Sequence, residues 1–229
     1  MKAGFLALLL VLVGSATAFA GTCMTDTYNN YDSPPGFACT ITDKTFSNFF
    51  YSTSGSDHMP DTSITVTPIA TLNNPGLLFN APWSVSSGLH TQDSLIGFTV
   101  QVNPGSSSLI TDLTLLMFGA GFTGTGGVSV AATYCLGDTF ADACAHGTTG
   151  TLFTFLNRAG SQLSDQVYFN GVKEVDVEKD ILLSAGDSGT AVLSGVENLF
   201  SEVPEPGSLA VLGSGLFCLG SLLGKRLFA

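Results

Sequence analysis

The stretch Ile96-Gly97-Phe98-Thr99-Val100-Gln101-Val102 decides the fold. Its large apolar residues fall on every second position with small or polar residues between them, which is the two-residue period of a strand buried on one face. Outward from there, the same or nearly the same period recurs in 46–51, 64–66, 113–115 and 128–134. It returns in 152–156, 167–169, 172–177, 181–183 and 190–193. Turn-forming clusters separate these runs: Ser33-Pro34-Pro35-Gly36, Asn73-Asn74-Pro75-Gly76, 103–108 and 124–127. Short strands with turns at this spacing predict an all-β fold, an antiparallel β-sandwich of meander or Greek-key type. Residues 162–171 and 194–200 could each hold a turn of helix without altering that class. No repeat of fixed period supports a propeller or solenoid.

The N-terminus reads as an export signal. Lys2 supplies the charge, 5–13 an apolar stretch, and Ala18-Phe19-Ala20 a small-x-small cleavage site. Cleavage is predicted after Ala20, so 1–20 is a signal peptide for the Sec machinery and signal peptidase, and 21–200 is the body. A rival reading makes Cys23 a lipoprotein acceptor, but Ala20 and Thr22 fit that pattern poorly. Seven Lys+Arg against 18 Asp+Glu give a net charge of -11. Such a chain repels phosphate backbones, and nucleic acid is excluded as a partner.

Export gives the cysteines meaning. Cys23, Cys39, Cys135 and Cys144 lie in the body, and an even number in an oxidising compartment suggests disulfides. Of three pairings the local ones, Cys23 with Cys39 and Cys135 with Cys144, are favoured because each closes a short loop rich in Gly, Pro or Asp. Buried free thiols are the alternative. Zinc is disfavoured, since neither pair has the knuckle spacing and no paired histidines follow.

The third segment, 201–229, ends in an apolar run. Leu209 to Leu223 would be about 22 Å long as a helix, and with its flanking glycines about 27 Å, just short of a ~30 Å hydrocarbon core. Glu202 and Glu205 precede it, and Lys225 and Arg226 follow. The positive-inside tendency keeps the basic tip cytoplasmic and the body outside. Val203-Pro204-Glu205-Pro206, then a transmembrane helix over about 207–224, then Lys225-Arg226, resembles the PEP-CTERM sorting signal of Gram-negative bacteria. The resemblance implies that Pro204, Glu205 and Pro206 are recognised by exosortase, a membrane cysteine transpeptidase that cuts near this motif, in cells producing exopolysaccharide. It covers only the C-terminal end, and the basic cluster is thin and followed by Leu227-Phe228-Ala229. The two prolines restrict the residues before them to extended conformations.

Candidate chemistry in the body is sparse. Gly186-Asp187-Ser188-Gly189-Thr190 matches the nucleophile loop of chymotrypsin-like proteases, with His146, Asp165 and Asp176 upstream in the right order. The interval from His146 to Ser188 is too short for the two barrels that unite base and nucleophile in that fold. His58, His90 and His146 are isolated and form no i, i+4 metal pair. Asp138 and Asp142 could offer oxygens to calcium, against the simpler reading of a solvated loop. In 172–183 charges alternate, as one solvated strand face requires. Trp83, Phe79 and Phe98 could form a sugar-stacking face, though core is the favoured reading.

These readings predict an exported protein without catalytic residues, metal or cofactor. It is held transiently in the inner membrane with its body outside, and is then delivered to the cell surface or matrix. Its expected role is structural or adhesive in an exopolysaccharide setting. A carbohydrate-binding module is the second reading, and a hydrolase using Ser188 the third.

Overall fold

The computed structural model describes residues 20–204. In chain order these form β1 (Gly21–Thr22), β2 (Asp26–Thr27), a short helix α1 (Tyr28–Asp32), β3 (Ala38–Ile41), β4 (Lys44–Gly55), β5 (Thr65–Ile69), β6 (Gly76–Val85), β7 (Thr91–Val102) and β8 (Ser108–Phe118). There follow β9 (Gly121–Thr123), β10 (Gly127–Leu136), β11 (Thr148–Asn157), β12 (Gly160–Gln162), β13 (Ser164–Val172), β14 (Glu174–Ser184), β15 (Thr190–Leu199) and β16 (Glu202–Pro204).

The strands make two sheets. The first runs β1-β3-β4-β7-β14-β10-β11-β12 and the second β13-β8-β15-β6-β5-β2, with β16 added to β8 and β9 to β15. Pairing at the centre is antiparallel, while β1 lies parallel to β3. The central neighbours β7 and β14, in register at Val100 and Val175, are remote in the chain. The sheets are therefore joined by long-range pairings and not by successive hairpins alone.

The core follows from the alternation. Ile96, Phe98 and Val100 of β7 and Val175, Val177 and Ile181 of β14 are buried, and each large side chain so removed from water stabilises the fold by about 2 kcal/mol. Phe98 is the hub, with ring centroids at 5.7 Å from Phe79, 6.2 Å from Phe46 and 6.2 Å from Phe200. The Tyr28 hydroxyl donates to the Phe50 and Gly97 carbonyls at 2.9 and 3.0 Å, which docks α1 on the first sheet. At one corner the buried Lys44 pairs with Asp43 at 3.0 Å and with Glu202 of β16. Burial alone would raise the Asp43 carboxyl, but hydrogen bonds from Ser106 and Lys44 hold it at about 2.

Three expectations about elements change. Residues 162–171 lie mostly in β13, and 194–199 lie in β15, rather than forming helical turns. The run 172–177 is divided at Lys173, between β13 and β14. The chain also forms β6, whose Pro82 is tolerated because it lies where the register with β15 shifts and the ladder is interrupted.

Among the described residues no helix is long and apolar enough to cross a membrane. Ala18, Glu205, Pro206, Lys225, Arg226 and the helix expected over 207–224 lie outside the described residues. Ala20 precedes β1, and the backbone of Val203 and Pro204 is extended in β16, opposite Leu109 and Ser108.

Candidate functional site

Among the described residues, the outer face of the first sheet carries a cleft with polar and aromatic walls. Alternation that buries Phe98 and Val177 sends Gly97, Thr99, Asp176 and Glu178 outward. In β4 the register with β7 shifts between Ser47 and Phe50, with Asn48 at a positive φ of 53°. The shift re-aims Phe50. Its ring lies across Gly97, where any Cβ would collide with it. Glycine is needed there for close approach rather than for backbone freedom.

The Cys135–Cys144 disulfide closes a loop above these strands. That loop lays Phe140 beside β14, and the Phe140 N–H donates to Asp176 Oδ2 at 2.8 Å. Thr99 donates to Asp176 Oδ1 at 2.9 Å and accepts from the Asn48 amide at 3.1 Å. Between Phe50 and Phe140 this leaves an open cleft of about 380 Å³, with Asn48, Thr99, Asp176 and Glu178 contributing polar groups. Aromatic walls with a few convergent polar groups suit a neutral or charged polar ligand with apolar faces.

Carboxylates continue beyond the cleft. Glu174, Asp176, Glu178 and Asp180 alternate with the core residues of β14 and share its outer side. Burial, and then repulsion from Asp176, raises Glu178 above its ordinary range. Glu174 is raised by the same two causes and by Asp138, against a hydrogen bond from Gln101. Asp180 is pushed up to about 6 by burial, a hydrogen bond with Asp93 and the Asp93 charge.

The two favoured cysteine pairs are joined, Cys23 to Cys39 and Cys135 to Cys144. Two disulfides suit an oxidising, extracellular environment. Asp138 accepts the backbone N–H groups of Thr139 and His146, at 2.9 Å each, so it braces the second disulfide loop. Among the described residues no group of three or more His, Cys, Asp and Glu could hold a metal ion.

The hydrolase constellation is taken apart by the fold. Ser188 sits in the turn between β14 and β15, its N–H bonded to Thr125 Oγ1 at 3.2 Å, near Gly127 at the start of β10. His146 lies beyond Leu136 at the other end of that strand, and the strand's length sets the two about 30 Å apart. Asp165 and Asp176 are engaged instead by the Phe153 and Phe140 backbones. His90 pairs with Asp57 at 3.0 Å. Trp83, Phe79 and Phe98 are core, at 1%, 0% and 0% exposure. The aromatic residues of the cleft, Phe50 and Phe140, were not singled out by the sequence; the signal for Phe50 was a glycine on the outward side of an otherwise regular strand.

No family model matches the chain, and no curated protein matches it. Among solved structures one similar chain is TmCBM61, determined in complex with beta-1,4-galactotriose, with a TM-score of 0.32 and 7% identity over 78% of this chain and 94% of that one. A likeness at that level carries no argument about this chain's ligand.

Proposed function

We propose that the protein is an exported, non-enzymatic binding protein of the cell surface or extracellular matrix, and that its body attaches to an exopolysaccharide through the cleft between Phe50 and Phe140. The observation that carries this reading is the cleft itself. It offers aromatic surface for the apolar face of a sugar ring, and Asn48, Thr99, Asp176 and Glu178 for its hydroxyls. In the same proposal the signal peptide through Ala20 directs export. Pro204-Glu205-Pro206, the apolar 207–224 and Lys225-Arg226 then hold the protein in the inner membrane until an exosortase-like peptidase acts.

Each half has its own test. Retention of the protein on the host's polysaccharide is expected to be lost in Phe50→Leu while folding is kept, and full retention by that variant removes the cleft from the reading. Glu205→Ala is expected to leave an untrimmed C-terminus on immunoblots, and unchanged trimming removes the sorting signal.

A further inference from the structure

We infer that the outer face of the first sheet is a docking surface for an amine-bearing polysaccharide, a chain whose sugar units carry free ammonium groups. The inference rests on the reading of the cleft as a sugar site and names the chemical class that site takes. β14 is a central strand, between β7 and β10. Its outward side chains Glu174, Asp176, Glu178 and Asp180 are four carboxylates in succession, about 6.7 Å apart along the strand. Asp93 of β7 adds a fifth beside Asp180, held by Ser54 at 2.8 Å. The lysine of the same strand, Lys179, points inward over the Phe79 ring, so β14 does not neutralise its own stripe. Like charges arranged this way oppose one another on the sheet surface.

The geometry also restricts the occupant. The carboxylates form a line rather than a cage, so their complement is an extended row of cations rather than a single ion. Aromatic surface accompanies the line: Phe50 and Phe140 at the cleft, and across β10 the stacked Phe153 and Phe155, with centroids 5.8 Å apart. An amino-sugar chain presents both requirements together, ammonium groups for charge-assisted hydrogen bonds and apolar ring faces for the phenylalanines. A neutral glycan supplies only the second and a basic peptide chiefly the first.

The test is titration calorimetry of the purified full-length protein in mild detergent with four probes: a glucosamine hexamer, its fully N-acetylated twin, cellohexaose and hexalysine. The glucosamine hexamer is expected to bind at least about tenfold more tightly than the acetylated twin. That affinity is expected to fall as salt rises from ~0.05 to ~0.5 M, where screening shortens to a few ångströms. Glu178→Gln with Asp180→Asn is expected to remove about tenfold of it; the comparison of the two hexamers on the unchanged protein needs no variant to fold. Equal affinity for the amine and acetylated hexamers, or tighter binding of hexalysine, overturns the inference. Binding of cellohexaose or the acetylated hexamer with no preference for amines overturns it while leaving the sugar cleft standing. Binding of no sugar removes both.

Discussion

Lys179 is fully buried, with its ammonium nitrogen 3.6 Å from the Phe79 ring centre and 5.6 Å from that of Phe98. Among the described residues it has no hydrogen-bond partner. Burial therefore drives its pKa well below the ordinary lysine value, since desolvation disfavours the charged form. In the window between the folded pKa and about 10.4 the unfolded chain binds the extra proton, so stability rises with pH there. Lys179→Met keeps the packing and removes the titration. The variant is expected to melt about 2–4 °C higher than the natural protein at pH 7, with the gap narrowing toward pH 10; scanning calorimetry across that range checks it, and a gap independent of pH would contradict it. The residue shows where sequence legibility ends. The period of 172–183 gathered its acids on one solvated face, but the same period assigns position 179 to the core side with Val175 and Val177. Only the facing sheet, with Phe79, reveals an apolar pocket long enough to take the lysine stem.

Among the elements, β14 and the Cys135–Cys144 loop define the site. Asp180, held near 6, keeps its proton more firmly in the folded chain. Its contribution to stability is complete below the unfolded value of about 3.9 and is lost as pH rises through about 6. Asp180→Asn is thus expected to stabilise the protein at pH 7 and not at pH 4, by about 1 kcal/mol or less because the group is partly exposed; denaturant titrations at the two pH values check this. Cys135→Ser with Cys144→Ser is expected to cost about 2–3 kcal/mol. It should also weaken sugar binding, because the loop holds Phe140 against Asp176. Unchanged binding in that variant would show that Phe140 is not part of the site. Strands with clean alternation, β7 and β10 above all, were legible in the sequence. β15 was legible only at 190–193, because beyond Leu193 the register shifts and Gly195 and the buried Asn198 interrupt the apolar period. β13 was legible only at 167–169, since as an edge strand it leaves Tyr168 exposed and buries few side chains.

At the scale of the whole molecule, the two-sheet class followed from short alternating runs and turns, and the favoured disulfides from loop length. The order of strands did not. β7 meets β14, and β8 meets β15, only because the two sheets enclose one shared core around Phe98, a long-range outcome that no local period encodes. The position of β7 between β4 and β14 creates the site, since it sets Gly97 under Phe50 and beside the acids of β14. The central claim is that this outer face receives a sugar chain. Backbone amide chemical-shift mapping during titration with a glucosamine hexamer tests it most directly. Perturbations are expected at 48–50, Thr99, 139–141 and 176–180. Shifts confined to the second sheet, or to the turn holding Ser188, would contradict it.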